Sequence, residues 1–497
     1  MSARAVMLSE LLAGQLALAR DAAFRDLTLD SRSVQPGSLF LACQGRSSHG
    51  LAYLDSALAR GATGVLWEPV ANMAAPSFPA NVLGIAVPGL GALAGTLADR
   101  FFDSPSAGLD VTGITGTNGK TTCAWLLAQA LTAVGRPSGY LGTLGVGLRD
   151  QLRSGEFTTA DAVTVHRQLA GLRAAGASCV AMEVSSHALD QDRVAGVRFK
   201  VAAFTNLTRD HLDYHGDMLR YAAAKDRLFD WPGLEWRVVN IDDEHGMALH
   251  RALQSSGRVF ATSRANARLT RSDAWLGAPR VRMADQGIEL QLESSFGAAT
   301  LAVPLIGAFN VDNVLTVLAC LLALEVPLTE AVRVLASVRA PSGRMEAISA
   351  PSGPLVLVDY AHTPDALEKA LAAARSHCRA QLHVVFGCGG DRDRGKRPLM
   401  GAIAAKLADC IWLTDDNPRT ENPAEIATDI QRGIPAAALL HLEHDRTKAI
   451  RGAIAGARSG DVVLVAGKGH EDYQIIGTQR RPFSDQAIVR AALGILS

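Results

Sequence analysis

The segment from Gly116 to Thr122, GTNGKTT, has the residue types of a nucleotide phosphate-binding loop. A Gly-rich turn between a strand and a helix directs backbone N–H groups at one point and places the helix N-terminus behind them, which suits phosphate oxygens. Lys120 could reach the β- and γ-phosphates, and the Thr121 hydroxyl could bind Mg²⁺. The strict G-x-x-x-x-G-K-[ST] signature fails, because Ile114 stands where its first glycine belongs. A turn that merely connects two elements is the alternative.

A carboxylate closes the most informative strand-like segment in the middle of the chain. The run from Ala177 to Met182 leads to Glu183, and a dense set of polar residues follows between positions 185 and 193. In a parallel nucleotide-binding sheet, a strand end beside the phosphate loop presents a Mg²⁺ ligand or a water-positioning group. Glu183 is therefore a candidate metal ligand, although an acid at a strand end is more often a surface group.

A second polar cluster follows the strand-like run from Val201 to Phe204 and extends to Gly216. His211 within it can bind a metal as neutral imidazole, and its place after a strand favours that role over a structural one. Lys225 follows on a predicted helix. An ammonium ion cannot bind Mg²⁺, and by propensity alone Lys225 is an ordinary helix-surface lysine.

Four apolar strands after residue 340 each end in a polar, Gly-rich loop. They cover Pro354 to Val358, Leu382 to Phe386, Ile411 to Leu413 and Asp461 to Val465. With helices between them, such strands form a doubly wound sheet whose carboxyl edge is a binding surface. The loop from Gly387 to Arg397 matches a dinucleotide fingerprint only weakly, because it lacks the G-x-G-x-x-G spacing.

These segments predict an α/β protein with three domains. We expect a small α/β domain over residues 1–90, in which Ser31 and Ser48 are plain loop residues on physical grounds alone. A central P-loop-type domain with a mostly parallel sheet is expected over 91–338, and a Rossmann-like, doubly wound domain over 339–497. In the central domain, Asn310 and Asn313 at the start of an apolar helix suit a base or ribose contact, although N-capping explains one of them equally well.

The composition limits the classes of partner. Lys and Arg total 49 and so do Asp and Glu, so no net charge favours nucleic acid or an anionic membrane. The seven cysteines are scattered and form no C-x-x-C pair, which indicates a reducing compartment. Early charges argue against a signal peptide, and the longest uncharged apolar run, Val314 to Leu324, is too short for a bilayer span. We expect a soluble, cytoplasmic protein.

Eight motifs in chain order together resemble those of the Mur ligase family over almost the full chain. They are the phosphate loop, the clusters at 183–193 and 205–225, Asn310, and the segments 342–346, 359–364, 387–397 and 467–471. The sequence DNPR at 416–419 resembles the amino-acid-recognition motif of members that add meso-2,6-diaminopimelate to UDP-N-acetylmuramoyl-L-alanyl-D-glutamate. The resemblance implies an ATP-dependent amide ligase of peptidoglycan precursor synthesis that works through an acyl phosphate. Together with the composition, it leads us to expect small-molecule substrates, no nucleic acid, no membrane insertion and a monomer.

The resemblance also implies roles for residues around ATP. The implied ATP contacts are Gly116, Thr117, Asn118, Gly119, Lys120, Thr121, Thr122, Asn310, Arg344 and Asp359. The implied Mg²⁺ contacts are Thr121, Glu183, His211 and Lys225, the last as a carbamate, N6-carboxylysine. A carbamate replaces the ammonium with an anion, which removes the objection to a lysine as a ligand. The implied catalytic residues are Lys120, Glu183, His211 and Lys225.

Two further sets of contacts follow from the resemblance. The UDP-substrate contacts would be Leu29, Ser31, Arg46, Ser47, Ser48, Thr158, Thr159, Ser185, Gln191 and Arg193. The diaminopimelate contacts would be Arg392, Asp416, Asn417, Pro418, Arg419, Gly467 and Glu471. An arginine can grip the distal carboxylate of diaminopimelate in bidentate fashion, while an acid pairs its ammonium. The sequence departs from the family pattern at Phe157, where an asparagine often precedes the paired threonines.

Two other functions are compatible with parts of the sequence. A folylpolyglutamate synthetase shares the ATP machinery, but it has little use for a separate nucleotide-binding first domain or for the DNPR segment. An ATP-gated switch protein would not require the cluster around His211 and Lys225. A switch would hydrolyse ATP without an acidic nucleotide substrate and an amine, whereas a ligase needs both.

Overall fold

The computed structural model describes residues 5–16, 18, 20–45, 48–71, 73–148, 151–153, 155, 157–255, 257–264, 272–284, 287–350 and 353–495. The chain divides into two compact units. The first runs to Ala261 and includes the short segments 271–274 and 323–325, and the second contains the remainder. Within the described ranges, no helix is both long and apolar enough to cross a bilayer.

The first unit alternates strands and helices along the chain. Its strands are β1 (Val6–Met7), β2 (Ala23–Phe24), β3 (Asp26–Thr28), β4 (Ser38–Ala42), β5 (Gly64–Trp67), β6 (Leu83–Ala86), β7 (Asp110–Thr115), β8 (Ser138–Gly142), β9 (Gly145–Leu148), β10 (Gln151–Arg153), β11 (Cys179–Glu183), β12 (Phe199–Phe204), β13 (Trp236–Asn240) and β14 (Arg258–Ser263). Its helices are α1 (Leu8–Leu11), α2 (Leu54–Ala59), α3 (Leu90–Phe101), α4 (Lys120–Ala133), α5 (Ala162–Ala174), α6 (Ser186–Asp190), α7 (Leu212–His215), α8 (Met218–Asp226) and α9 (Glu244–Leu253).

A small parallel sheet with the order β3-β4-β5-β6 forms the N-terminal part of this unit. Its strands alternate their side chains between two apolar clusters, as period-two geometry requires. Phe40 and Val65 pack with Ala57 of α2, whereas Leu39 and Leu66 pack in a second cluster that also contains residues of α3. Both faces of this sheet are therefore covered.

The larger sheet of the first unit carries the predicted phosphate loop. The strands that this unit contributes have the order β10-β9-β8-β11-β7-β12-β13-β14. The pairs from β8 to β13 are parallel, whereas β8, β9 and β10 form an antiparallel extension. Because β7, β11 and β12 are parallel neighbours, the loops after Thr115, Glu183 and Phe204 share one edge of the sheet.

The second unit contains three consecutive antiparallel strands, a six-stranded sheet and a hairpin. Its strands are β15 (Ala274–Ala284), β16 (Gly287–Ser294), β17 (Gly297–Val303), β18 (Glu346–Ser349), β19 (Leu355–Asp359), β20 (Leu382–Phe386), β21 (Cys410–Leu413), β22 (Leu440–Leu442), β23 (Val462–Ala466), β24 (Tyr473–Ile476) and β25 (Gln479–Pro482). Its helices are α10 (Phe309–Ala323), α11 (Leu328–Leu335), α12 (Pro364–Arg375), α13 (Lys396–Leu407), α14 (Pro423–Gln431), α15 (Arg446–Gly456) and α16 (Asp485–Ala492).

The six-stranded sheet has the order β18-β19-β23-β20-β21-β22 and is parallel from β19 to β22. One core joins the sheet to α12, α13 and α14, and a second core joins the opposite face to α15 and α16. Both faces are thus covered by helices, which is the doubly wound arrangement that the four apolar strands predict.

Candidate active site

Two glycines shape the phosphate loop between β7 and α4. After Thr115, Gly116 has φ +146° and Gly119 has φ +85°, and α4 begins at Lys120. A side chain at Gly116 would strain the backbone and overlap the Thr205 hydroxyl. The strand, loop and helix predicted for phosphate binding are therefore present, and only glycine fits at the first position of the loop.

Residues after β12 anchor the phosphate loop. The Asn206 side-chain oxygen accepts the Asn118 N–H at 2.9 Å, and the Asn206 carbonyl accepts the Thr117 N–H at 2.8 Å. The Thr205 hydroxyl donates to the Asn118 carbonyl at 2.6 Å. The Thr117 hydroxyl lies 3.1 Å from the Tyr221 hydroxyl on α8. These bonds fix the loop backbone, so its shape is preorganised for a ligand.

Two lysines share one backbone carbonyl of the loop. Lys120 Nζ donates to the carbonyls of Gly116 and Thr117, both at 2.9 Å, and Lys225 Nζ donates to the Gly116 carbonyl at 2.8 Å. Lys225 is only 1% exposed. Burial, followed by the nearby Lys120 charge, holds the pKa of Lys225 well below its ordinary value. The propensity-based interpretation of Lys225 as a helix-surface lysine is therefore wrong.

Glu183 ends β11 and its side chain is completely buried. One carboxylate oxygen accepts the Thr121 hydroxyl at 2.8 Å, and the other accepts the Tyr140 hydroxyl at 2.5 Å and the Thr143 N–H at 2.9 Å. These donors are neutral, and within the described ranges Glu183 forms no ion pair. The alternative that Glu183 is a surface acid is wrong. A buried carboxylate beside a threonine hydroxyl is an oxygen-donor set that Mg²⁺ favours.

His211 belongs to a cluster of aromatic rings after β12. Its backbone is left-handed, with φ +52°, and its side chain is half-exposed. The His187 ring centroid lies 4.8 Å from that of His211 and 5.4 Å from that of His215. Burial, followed by these two neighbours, lowers the pKa of His187 to about 4. No three His, Cys, Asp or Glu side chains in the described part of the chain form a ready metal cluster, so a metal shared by Glu183, His211 and Lys225 stays a prediction.

Several residues predicted to bind the UDP substrate meet beside α6. The Arg193 guanidinium donates to the Thr159 carbonyl at 2.9 Å and to Gln191 Oε1 at 2.6 and 2.9 Å. The Ser185 N–H donates to the Thr159 hydroxyl at 3.2 Å, and Thr158 is half-buried next to it. The structure thus brings these five residues into one connected region of the first unit.

Other predicted UDP contacts lie in the small N-terminal sheet region. Ser31 begins a 3₁₀ turn after β3, where Leu29 is half-buried. The Ser48 hydroxyl lies 3.3 Å from the Tyr53 hydroxyl. Arg46 and Ser47 lie outside the described residues.

Phe157 precedes the paired threonines, at the position where the resemblance favours an asparagine. Its side chain is 60% exposed, and the centre of its ring lies 5.6 Å from the Arg193 guanidinium carbon. An aromatic face at this distance attracts a guanidinium. Phe157 therefore covers Arg193 with an apolar ring instead of offering it a polar partner.

The remaining predicted ATP contacts belong to the second unit. Asn310 Oδ1 accepts the Asn313 side-chain N–H at 2.9 Å, so these two buried amides partly satisfy each other. The Arg344 guanidinium lies 5.0 Å from the centre of the Tyr360 ring, and its buried Nε has no hydrogen-bond partner among the described residues. Burial raises the pKa of Asp359, which accepts a backbone N–H at 2.8 Å. Their contacts with ATP stay predictions.

Loops after β21 and β23 meet at the carboxyl edge of the second unit's sheet. Asn417 Nδ2 donates to Glu471 Oε2 at 3.0 Å. Gly467 has φ +118°, and a Cβ atom there would lie 2.5 Å from Asp416 Oδ2. The fully buried Lys468 donates to Asn417 Oδ1 at 3.0 Å. The sequence analysis did not identify Lys468 as a site residue. The signal that could have found it is its position between two glycines at the end of a predicted strand.

Arg419 presents its guanidinium beside the loop after β20. Its backbone is left-handed, with φ +50°, and Nη1 donates to the Gly390 carbonyl at 2.8 Å. A Cβ atom at Gly389 would lie 2.9 Å from Arg419 Nη1, so a glycine permits this close approach. Gly390 likewise approaches the Pro418 carbonyl, and Arg392 is exposed in the same loop. Across the described ranges, Arg419 forms no ion pair with a carboxylate.

The hairpin of β24 and β25 also contacts the segment 416–419, through hydrogen bonds. The Ile475 N–H donates to Asn417 Oδ1 at 2.9 Å, and Gln474 Nε2 donates to the Asp416 carbonyl at 2.8 Å. The Arg419 N–H donates to the Ile475 carbonyl at 3.1 Å. The sequence analysis did not predict this hairpin, and the structure makes it part of the same site.

We expect Gly116→Ala to destabilise the first unit and to abolish ATP turnover. Alanine at φ +146° overlaps Thr205, and strained backbone of this kind costs about 1–3 kcal/mol. Thermal unfolding and ADP release measure the two effects. Gly171→Ala on α5 is the matched control, because a Cβ atom there meets open space. Normal ADP release by Gly116→Ala would contradict the assignment of the loop.

Three family models match successive parts of the chain. They are described as "Mur ligase family, catalytic domain" for residues 24–102, "Mur ligase middle domain" for 114–321 and "Mur ligase, glutamate ligase domain" for 343–469. A UDP-N-acetylmuramoyl-L-alanyl-D-glutamate--2,6-diaminopimelate ligase of Pseudomonas aeruginosa is 51% identical over 94% of each chain. The chain belongs to the Mur ligase family. It is an ATP-dependent amide ligase with the three-domain α/β architecture of that family, as the sequence predicts.

Two more relatives cover nearly the whole ligase. A protein of the same name from Xanthomonas campestris is 49% identical over 99% of this chain and 98% of its own length. A solved structure described as a UDP-N-acetylmuramoyl-L-alanyl-D-glutamate--2,6-diaminopimelate ligase superposes with a TM-score of 0.74. It is 33% identical and covers 99% of both chains. The family assignment therefore rests on nearly the whole of this chain.

Proposed function

We propose that this ligase adds meso-2,6-diaminopimelate to the D-glutamate carboxylate of UDP-N-acetylmuramoyl-L-alanyl-D-glutamate. The reaction consumes ATP, yields ADP and phosphate, and supplies a precursor of peptidoglycan in the cytoplasm. Relatives that are about half identical over nearly the full chain carry the name of this activity. The observation that carries the choice of amine is the site at 416–419, where Arg419, with no carboxylate partner among the described residues, lies near the buried Asp416 and the half-buried Glu471.

The chemistry joins two anions in its first step. A carboxylate oxygen of the D-glutamate attacks the γ-phosphorus of ATP, ADP leaves, and an acyl phosphate forms. The amine of diaminopimelate then attacks the acyl carbon, loses a proton and expels phosphate. Neutralising and aligning the reacting oxygens is therefore the main task of the protein. Lys120, whose Nζ donates to two carbonyls of the loop, would hold the phosphates of ATP.

The residues around Glu183 fit a divalent cation. Its buried carboxylate has neutral donors, one of them the Thr121 hydroxyl, so a cation would compensate a charge that the described residues leave uncompensated. Glu183, Thr121 and His211 would hold Mg²⁺, which supplies charge neutralisation for the phosphate oxygens when bound. The chain's own contribution is to keep the carboxylate dry and oriented through Tyr140 and Thr143.

The surroundings of Lys225 fit its conversion to a carbamate. Carbon dioxide reacts with an uncharged amine, and burial together with Lys120 lowers the pKa of Lys225 and so favours that form. The resulting anion would lie beside the Lys120 ammonium, since both side chains contact the Gly116 carbonyl. A buried carbamate would then have a cationic partner, which buried anions need.

The UDP substrate would bind along the region of Thr158, Thr159, Ser185, Gln191 and Arg193, and at Leu29, Ser31 and the loop at 46–48. Asn310, Arg344 and Asp359 would contact ATP from the rest of the chain. Arg392, Asp416, Asn417, Pro418, Arg419, Gly467 and Glu471 would bind diaminopimelate. The enzyme acts as a monomer on these small-molecule substrates.

ADP release tests this function directly. We expect turnover only when ATP, UDP-N-acetylmuramoyl-L-alanyl-D-glutamate and meso-diaminopimelate are all present, with one amide product formed for each ADP. L-lysine should be a poor substitute for diaminopimelate. ATP hydrolysis that needs neither the acidic nucleotide nor the amine would contradict the proposal, and so would equal turnover with L-lysine.

A further inference from the structure

Lys468 lies at the centre of the polar network beside the segment 416–419. Its side chain is fully buried, and Nζ lies 3.0 Å from Asn417 Oδ1, 3.3 Å from Glu471 Oε2 and 3.5 Å from Asp416 Oδ1. A buried lysine needs compensating carboxylates, because an isolated charge in a dry site is very costly. Lys468 therefore interacts with both of the acids that would receive a substrate ammonium.

The charges of this network sum to zero once Lys468 is included. Within the segments 416–419 and 467–471, Asp416 and Glu471 carry negative charges, and Lys468 and Arg419 carry positive charges. Arg392 is exposed in the loop after β20, so solvent screens its charge and it stands outside this sum. Arg446, which is also buried nearby, does not alter the sum, because Asp485 pairs with it at 2.7 and 2.8 Å. Removal of Lys468 alone would leave the network with a net charge of −1.

The two candidate amines differ in the charge that their far ends bring to such a network. The far end of diaminopimelate carries an ammonium and a carboxylate, so its net charge is zero. The far end of L-lysine carries an ammonium alone, so its net charge is +1. A neutral network matches the zwitterion, whereas a network of charge −1 matches the single cation. Discrimination between such ligands depends on the mismatch as much as on the match.

We propose that Lys468 is a specificity-determining residue, which keeps the amino-acid site electrically neutral and so selects an amine with a zwitterionic far end over one with an ammonium alone. This inference rests on the proposed function and adds to it a residue that does not grip the substrate carboxylate itself. Lys468 acts by cancelling one of two acidic charges, while Arg419 supplies the bidentate contact.

Lys468→Met tests the role of the charge, because methionine retains most of the length and apolar volume of the stem. We expect the ratio of kcat/KM for meso-diaminopimelate to kcat/KM for L-lysine to fall by about tenfold or more. The KM for ATP should stay unchanged. Lys369→Met is the matched control, since Lys369 is an exposed lysine on α12 whose ion-pair partner is Asp365. Equal losses with both amines would overturn the proposal, because a purely structural role predicts that result.

A charge-restoring pair sharpens the test. The double variant Lys468→Met with Glu471→Gln loses one charge of each sign, so the network is neutral again and the preference for diaminopimelate should recover towards the natural ratio. Glu471→Gln alone makes the network positive and should raise that ratio, because it penalises the single ammonium most. Should Lys468→Met fail to fold, Glu471→Gln decides the matter, and an unchanged ratio would overturn the proposal.

The same assays separate this inference from the proposed function. If the natural protein fails to join diaminopimelate to the UDP-linked dipeptide, the proposed function is wrong. If it does so with a clear preference over L-lysine, and Lys468→Met keeps that preference, only the role of Lys468 is wrong.

Discussion

Lys225→Ala is expected to lower the rate of amide formation by about a thousandfold, while the protein stays folded. The substitution removes the group that would become an anion beside Lys120 and contribute to the metal site. Coupled measurement of ADP release, with saturating concentrations of all three substrates, gives the rate. Arg220→Ala is the matched control, because Arg220 lies on the same helix with an exposed side chain paired to Asp217.

Two further measurements identify the carbamate behind this loss. Acetate or formate should partly restore the activity of Lys225→Ala, since a small carboxylate can occupy the space that the side chain vacates. Carbon-13 NMR of the natural protein equilibrated with labelled bicarbonate should show a carbamate resonance that Lys225→Ala lacks. A variant with near-normal activity would contradict the role, and an absent resonance would contradict the modification.

Arg419→Ala should lower kcat/KM for meso-diaminopimelate by about a thousandfold or more, while kcat/KM for L-lysine should stay the same or rise, because the network then carries a charge of −1. The variant lacks the guanidinium that would bind the distal carboxylate of diaminopimelate, so that carboxylate is left without a partner. L-lysine has no distal carboxylate and therefore does not lose this contact. Initial rates of ADP release with each amine provide the comparison. The KM for the UDP-linked substrate should not change.

Arg480→Ala provides the control for Arg419→Ala. Arg480 lies on the hairpin with its guanidinium carbon 3.7 Å from the centre of the Tyr473 ring, and its side chain is exposed. The loss of a surface arginine should leave the preference for diaminopimelate intact. A preserved preference in Arg419→Ala would show that the carboxylate is bound elsewhere, even if the ATP site is correctly assigned.

The sequence predicts the strands that carry the site more readily than it predicts which charged side chains are buried and what they pair with. The apolar segments ending at Thr115, Glu183 and Phe386 are strands in the structure. Short runs of β-branched and apolar residues between Gly-rich turns favour buried strands. The doubly wound sheet follows from their alternation with helices. These features depend on local patterns, which sequence reasoning can use.

Whether an individual charged side chain is buried depends on partners far away in the chain, and local sequence patterns do not reveal those partners. Lys225 looks like a surface lysine on a helix, but its hydrogen bond to Gly116 joins residues 109 positions apart. Lys468 depends in the same way on Asn417, 51 positions away. A resemblance to the family points to the role of Lys225, whereas the burial and the charged partners of Lys468 emerge only from the packed structure.

The hairpin of β24 and β25 makes the amino-acid-recognition segment part of a composite unit. Its backbone and Gln474 hold the segment at Asp416, Asn417 and Arg419. An exchange of four residues between related ligases would therefore transplant side chains without the scaffold that orients them. Engineering a new amine preference calls for grafting the hairpin and the segment together, as one cassette.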